Sequence, residues 1–199
     1  MISYLKGNIT HKSPTYVIVE NQGIGYQILV SLNTRQSIGD DKDCRLFTRM
    51  VVKNENQNVT GFMLYGFYEE KERELFEKLI SVSGVGANTA IVMLSTYRVS
   101  EIVNAIVSGD VGLIKSIKGI GPKSAQRIIL ELKDKVEKTE EGQLSLGQSH
   151  NTLKEDALVA LMSLGFAKNM ALKAINKAMA ANAEIDTVED LIKQSLKLL

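Results

Sequence analysis

The chain has 199 residues, of which 44% are hydrophobic and 24% charged, the balance of an ordinary globular protein. Its formal net charge is +1, which alone indicates no partner, and its single cysteine excludes a disulfide framework and a cysteine-based zinc site. The first residues lack a signal-peptide pattern and no apolar run approaches membrane-spanning length, so the sequence predicts a cytoplasmic protein without membrane contact.

The first third of the chain predicts β-strands. Residues 16–20 and 26–30 are rich in β-formers and flank a short glycine-containing connection of hairpin type. Similar runs at residues 2–9, 45–53 and 59–67 bring the count to about five strands. Short strands separated by turns in this number are typical of a small Greek-key barrel such as an OB-fold. We therefore predict an OB-like barrel over residues 1–66.

The pattern becomes helical from residue 67 to about residue 138. The first helix is predicted over residues 69–80, with acidic residues in its first turn and an apolar face. Farther along, residues 115–138 contain seven basic and three acidic residues. Such a local excess of positive charge is typical of a surface that meets phosphates, although a solvated helix face gives the same pattern.

Periodicity is lost over residues 139–152, which are mostly polar, so we predict a flexible linker there. Three short helical patterns follow at residues 153–164, 167–180 and 187–198. They predict a small three-helix domain over residues 153–199, a size that can just hold a core of its own. The fold class is therefore multi-domain α+β.

An internal repeat lies within the helical region. The shift that places Gly84 on Gly119 aligns residues 81–90 with residues 116–125. Both copies read Gly-apolar-Gly, and a matched hydroxyl residue and a matched alanine follow the second glycine. One such tripeptide is weak evidence for a site. Two copies between amphipathic helices predict a tandem of helix–hairpin–helix motifs.

The order helix, Gly-apolar-Gly, helix suits the binding of a phosphate. Glycines allow a tight turn and the close approach of a ligand to the backbone, while the central Val85 or Ile120 plugs the turn into the core. The following helix begins with free N–H groups and the positive end of its dipole next to the exposed turn. Lys123, just inside the second of these helices, adds a point charge. We therefore predict sequence-independent binding of DNA phosphates.

Other chemistries find little support in the sequence. Residues 121–124 look like the end of a P-loop, but Pro122 separates glycine from lysine and no strand precedes them, so we reject an ATP site. His11 and His150 lack neighbours suited to nucleophilic or metal chemistry, and we expect no catalytic residue, metal or cofactor. The cluster of acidic residues at 69–74 is interpreted as a charged helix start.

Two alternative functions to that of a DNA-binding scaffold are considered. A helix–hairpin–helix nuclease or glycosylase would need catalytic acids or metal ligands next to the hairpins. A general single-strand binder would use the barrel and expose stacking aromatic residues on its sheet. Neither feature is evident in the sequence.

The order of these parts resembles the RuvA family, the DNA-binding subunits of the bacterial Holliday junction branch-migration complex. The resemblance covers essentially the whole chain. Besides the two Gly-x-Gly motifs, it rests on short segments at residues 1–2, 5–7, 51–53, 64–67 and 160–166. It implies a non-catalytic subunit that binds four-way junctions, holds them open and acts in recombination and DNA repair.

The resemblance also implies partners. A ring of four subunits with fourfold symmetry would suit four equivalent DNA arms, and the sequence leaves open whether four or eight subunits surround the DNA. The C-terminal domain, a UBA-like three-helix unit in this family, would dock the hexameric AAA+ motor RuvB. The resolvase RuvC is a further implied partner. The implied contacts with the motor come from part of one apolar stripe: Leu161, Met162, Leu164 and Phe166.

Site residues on DNA are implied in the same way, with three departures from the family pattern. Acidic residues on a barrel loop form a central pin that repels phosphates, and here that loop is residues 53–56 with Glu55 as its one acid. Asn88 and Pro122 stand where relatives often carry a basic residue, which shifts the expected contacts toward backbone amides. The expected DNA contacts are Gly84, Val85, Gly86, Asn88, Lys118, Gly119, Ile120, Gly121, Lys123, Ser124 and Arg127.

Overall fold

The structure, a computed structural model, describes residues 2–40, 42–55, 58–144, 149–181 and 185–199. It divides into two compact units, Met1–Glu140 and Glu141–Leu199. Within the described residues no single helix is long and apolar enough to cross a membrane. Two helices with a bend between them, Ala87–Thr96 and Val99–Ser108, reach that length and apolar composition only when they are taken together.

Five strands form a closed barrel in the first unit. They are β1 (Tyr4–Lys12), β2 (Tyr16–Asn21), β3 (Ile24–Val30), β4 (Asp43–Glu55) and β5 (Asn58–Phe67). Around the barrel they follow the order β1-β2-β3-β5-β4, and β3 with β5 is the parallel pair. Alternate residues point inward and are fully buried there, among them Val17, Val19, Ile28 and Leu46. The predicted OB-like barrel is confirmed.

A short helix that the sequence pattern did not predict, α1 (Leu32–Ile38), connects β3 to β4. Ser31 caps it, because its hydroxyl accepts a hydrogen bond from the Thr34 N–H. Thr34 and Ile38 are its buried residues. Two inward positions on so short a helix give too weak a period to be recognised in a sequence.

The rest of the first unit is helical, as predicted. Its helices are α2 (Glu70–Ile80), α3 (Ala87–Thr96), α4 (Val99–Ser108), α5 (Val111–Ser116) and α6 (Pro122–Leu144). They share one core with the end of the barrel, since the Phe76 ring lies 5.0 Å from that of Tyr65 and 4.9 Å from that of Phe67, centroid to centroid. The barrel and the paired hairpins therefore form one packed body.

Helix α6 is longer than the sequence pattern predicts. The pattern places its end near residue 138 and a linker over residues 139–152, but the helix continues to Leu144. Glu140, Glu141 and Gln143 are good helix formers that need no apolar period, so local propensity accounts for the extension. Residues 145–148 of the predicted linker lie outside the described residues.

The second unit contains α7 (Ser149–Ser163), α8 (Lys168–Ala181) and α9 (Val188–Leu196). Helix α7 begins four positions before the predicted start, inside the predicted linker. The core of this unit is small and rich in alanine: Ala157, Leu161, Ala171, Ile175, Ala178 and Leu191. The predicted three-helix domain is confirmed.

Candidate nucleic-acid interface

The two Gly-apolar-Gly hairpins have the same backbone. Gly84 and Gly119 have φ angles of +89° and +92°, in the left-handed region that favours glycine. In the first copy the Val85 N–H donates to the Val82 carbonyl at 3.0 Å, and in the second the Ile120 N–H donates to the Ile117 carbonyl at 3.1 Å. The repeat in the sequence is therefore a repeat in the structure.

The central apolar residue of each hairpin is a plug in the core. Val85 is 5% exposed and Ile120 is 6% exposed, and both belong to the core that α2 to α6 share. Their side chains are thus unavailable to a ligand, and any contact from these two residues comes from their backbone. Since the plug holds each turn from beneath, the glycines on either side stay at the surface.

The second glycine of each hairpin leaves an open surface. A β-carbon built on Gly86 or Gly121 would meet no atom within 4 Å. Gly86 has extended backbone, with φ −84° and ψ 165°, which any residue adopts. It is the N-cap of α3, and no side chain caps that helix. The first N–H groups of α3 therefore face an unobstructed approach, which suits a phosphate oxygen.

Both helices that follow the hairpins begin in the same way. The Gly86 carbonyl accepts from the Ala90 N–H at 3.0 Å, and the Gly121 carbonyl accepts from the Ala125 N–H at 2.9 Å. Lys118 and Lys123 are exposed on either side of the second hairpin, whereas Ser124 is half-buried. The second copy thus places two cations around its open glycine.

Arg127 connects the two hairpins. It lies on α6, behind the second hairpin, and its Nη1 donates to the Ser83 carbonyl of the first hairpin at 3.3 Å. Its Nε lies 3.4 Å from Glu131 Oε1, one turn along the helix. Arg127 is exposed, so its charge also contributes to the surface between the two turns. Arg127, which the sequence predicts to contact DNA, is therefore also hydrogen-bonded to the first hairpin.

Asn88 of the first hairpin is attached to the barrel. Its Oδ1 accepts a hydrogen bond from the Tyr65 hydroxyl at 3.3 Å. Burial raises the pKa of Tyr65, so the hydroxyl keeps its proton and its role as donor. No local sequence pattern predicts this contact, because the two residues lie on different elements.

A buried carboxylate that sequence reasoning assigned to a charged helix start fixes α2 to the barrel. Glu72 is 6% exposed and accepts hydrogen bonds from the Ser31 hydroxyl at 2.5 Å and from the Thr34 hydroxyl. Each hydroxyl in turn accepts from a backbone N–H, of Thr34 and of Tyr68 respectively, so both hydroxyl protons point at Glu72. Burial raises the pKa of Glu72, and the two hydroxyl hydrogen bonds oppose that shift.

The acidic pin predicted at Glu55 falls at the end of β4. Residues 53–55 belong to that strand and not to a loop, and Glu55 pairs with Asn58 of β5. The predicted loop over residues 53–56 is therefore too long at its start. The Glu55 side chain lies outside the part of the chain that the structure describes, so its role in a pin stays a prediction.

The predicted partner-binding residues of the second unit divide into two groups. Leu161 is fully buried and Phe166 is partly buried against the same core. Met162 and Leu164 are 45% and 61% exposed. Met162 and Leu164 are therefore the exposed residues of this stripe, while Leu161 belongs to the core.

No group of three or more histidine, cysteine, aspartate or glutamate residues that could hold a metal ion occurs within the described residues. Neither hairpin is accompanied there by a cluster suited to metal-dependent cleavage of DNA. The geometry offers backbone amides, cations and open glycines to an anionic polymer.

Three family profiles match successive parts of the chain. The RuvA N terminal domain matches residues 1–61, the SAM-like Helix-hairpin-helix tandem matches residues 76–134, and the RuvA C-terminal domain matches residues 152–199.

Whole proteins match as well. The chain is 46% identical to a protein of Flavobacterium psychrophilum, 47% identical to one of Christiangramia forsetii and 42% identical to one of Cytophaga hutchinsonii. Each match covers 100% of both chains. All three relatives carry the name Holliday junction branch migration complex subunit RuvA.

Proposed function

The chain belongs to the RuvA family, and we propose that it is the non-catalytic subunit that binds four-way DNA junctions in a branch-migration complex. The observation that carries this proposal is the pair of equivalent hairpins, each with an open second glycine, joined by Arg127. Both hairpins present backbone to the ligand, so they bind phosphates without reading bases. A junction is then recognised by its shape.

The residues proposed to contact DNA form two sets. Backbone N–H groups of the two turns and of the helices behind them form the first set, within residues 84–88 and 119–124. Pro122 has no N–H, and the N–H groups of Val85 and Ile120 are already bonded within their turns. Cations form the second set, and the exposed Lys118, Lys123 and Arg127 are its members. Neutralising phosphates with such cations releases condensed counterions, so binding weakens steeply as salt rises.

We propose that four subunits form a ring with fourfold symmetry around the crossover. One subunit offers one pair of hairpins, which suits one duplex arm, and a closed ring repeats that site once for each of four arms. Glu55, at the end of β4, lies in the position proposed for the pin, where its charge repels phosphates and helps to separate the strands. An assembly of eight subunits would place a second ring on the other face of the DNA.

The second unit is proposed to recruit the hexameric AAA+ motor RuvB, which supplies the ATP hydrolysis that moves the junction. Exposed Met162 and Leu164 support this assignment, because apolar side chains at a surface favour a protein partner. The resolvase RuvC would act on the same open junction.

A gel-shift comparison of an immobile four-way junction with linear duplex of equal length tests the proposal. We expect the purified chain to bind the junction at least about 100-fold more tightly, with a steep dependence on salt. Native mass measurement of the complex gives the number of subunits. Equal affinity for the two DNAs would contradict the proposal, and cleavage of labelled junction by the chain alone with Mg²⁺ would favour the nuclease alternative.

A further inference from the structure

Strands β4 and β5 extend well beyond the barrel. Strand β1 pairs with β4 only as far as Phe47, and β3 pairs with β5 only at Tyr65 and Gly66. Residues 50–55 and 58–64 therefore pair only with each other. We call this two-stranded ribbon the β4–β5 arm. At the rise of a β-strand it is about 20 Å long.

One face of the arm is attached to the helices. Val51 and Met63 are cross-strand partners, and both pack against the core of α2 to α6. At the base of the arm Arg49 lies 3.5 Å from Glu77 on α2, and Tyr65 binds Asn88 behind the first hairpin. The arm therefore holds a fixed position relative to that hairpin.

The opposite face of the arm is apolar. At its base Leu64 packs against the barrel core, and farther out its side chains are exposed. Val52 and Phe62 are cross-strand partners and are 44% and 66% exposed, and Met50, two residues before Val52, is 37% exposed. A bulge after Lys53 brings Val59, which is 63% exposed, opposite residue 54, the next position on the same face of β4. We define the outer strip as Met50, Val52, Val59 and Phe62.

We propose that the outer strip, with Phe62 as its principal residue, stacks on a DNA base exposed at the crossover of a four-way junction. This inference rests on the proposed function. A crossover presents bases at the end of each duplex arm whose outer faces have no neighbour to stack on. An aromatic ring can stack on any base, which suits a protein that recognises shape rather than sequence. Apolar side chains used as wedges between base steps act on the same physical principle.

Distance along the arm supports this occupant. Residue 55 lies three positions beyond Val52, and Phe62 lies opposite Val52, so Phe62 is about 10 Å from the proposed pin along the strand. A phosphate that meets the pin would therefore have its neighbouring bases within reach of the Phe62 ring. The pin would repel the DNA backbone while the Phe62 ring stacks on the base, and both interactions would favour separated strands at the crossover.

The size of the strip disfavours a second copy of the chain as the occupant of this face. A standard protein interface has about 20–30 residues on each side. The outer strip has four side chains on a narrow ribbon, which suits one or two bases. Self-association through this face is the outcome that the experiment has to separate from stacking.

Photocrosslinking with the full chain tests the proposal directly. A junction that carries 5-iododeoxyuridine at the crossover is bound and irradiated, and the crosslinked residue is identified by mass spectrometry. We expect a crosslink to Phe62 from the crossover position and none from positions in the middle of an arm. Phe62→Ala should abolish it and weaken junction binding about 10-fold, with a less than about 2-fold effect on linear duplex. Phe62→Trp should preserve both.

Ile24→Ala is the matched control, since Ile24 is an apolar residue on another part of the barrel and is 57% exposed. It should change neither crosslinking nor affinity. Unchanged crosslinking in Phe62→Ala, in a protein that still prefers junction to duplex, would overturn this inference alone. Loss of junction preference in the unmodified chain would overturn the proposed function as well. A smaller assembly of Phe62→Ala by native mass measurement, without DNA, would assign the outer strip to self-association instead.

Discussion

Side-chain hydrogen bonds join the helices on either side of the first hairpin to Ser31, Thr34 and Tyr65, whereas the second hairpin lies between two helices of its own. The helix before the first hairpin is fixed by the Glu72 carboxylate to the hydroxyls of Ser31 and Thr34, and the helix after it is fixed by Asn88 to Tyr65. The second hairpin lies between the short α5 and the long α6, and Lys123 occupies the position equivalent to Asn88. Glycines and a buried plug are enough to repeat the backbone. The side chain at the equivalent position can therefore differ. In the first copy Asn88 binds the barrel, and in the second Lys123 is exposed to a ligand.

The largest effect is expected from closing the open surface that both copies share. Gly86→Leu and Gly121→Leu each put a side chain where a β-carbon meets no atom within 4 Å, so the fold should accept both. Each should weaken junction binding about 10-fold or more, because a hydrogen bond to a charged group contributes about 1.5–3 kcal/mol. Fluorescence anisotropy with labelled junction measures the loss.

The double variant separates the two copies. If the hairpins bind independently, its loss should be about the product of the two single losses. A loss no greater than that of one single variant would mean that one copy carries the DNA contact. Thermal unfolding followed by circular dichroism serves as the control for folding. Unchanged affinity in a folded double variant would contradict the phosphate-binding role of both turns.

A second, smaller effect concerns the stability contributed by Glu72, on the helix before the first hairpin. Because burial raises the pKa of Glu72 above its ordinary value of 4.5, its contribution to stability is full below that value and is lost as the pH rises through the raised pKa. The free energy of unfolding of the unmodified chain, relative to that of Glu72→Gln, should therefore fall as the pH rises from about 4.5 toward neutrality.

Urea unfolding at several pH values measures this difference. Glu74→Gln is the control for removing a carboxylate from the same helix. A difference between the unmodified chain and Glu72→Gln that stays constant with pH would mean that the anchor of the first hairpin does not titrate in this range.

Features that depend on residues close together in the chain are predicted from the sequence, and features that depend on distant residues are not. Each hairpin is determined by residues close together in the chain: a glycine at positive φ, a plug and a second glycine. These were recognised. The contact of Arg127 with Ser83 joins residues 44 positions apart, and that of Asn88 with Tyr65 joins residues 23 positions apart, so no local pattern announces them.

The barrel shows the same division. Its strands were recognised from composition, because β-branched and aromatic residues cluster in short runs. Helix α1 is not predicted from the sequence, since it is short and the partner of its buried Thr34 is Glu72 on another element. The length of β4 was also underestimated, as polar residues 53–55 pair with β5 in spite of their turn-like composition. A buried carboxylate within a charged cluster has no signature until its partners are known.

The smallest effect should come from exchanging the side chains at the equivalent position of the two copies. Lys123→Asn removes an exposed cation and should weaken junction binding about 2- to 5-fold, and it should lower the slope of log affinity against log salt by about 0.9. Asn88→Lys should strengthen binding and raise that slope by a similar amount if the new ammonium group reaches a phosphate. The new lysine also gives up the hydrogen bond with Tyr65, which Tyr65→Phe removes without adding a charge. Salt titrations of all three variants therefore separate the two roles of this position. If the slope of log affinity against log salt is the same for Asn88→Lys as for Tyr65→Phe, the new lysine meets no phosphate. The first hairpin would then contact DNA through its backbone alone, with position 88 held at the barrel and outside the interface.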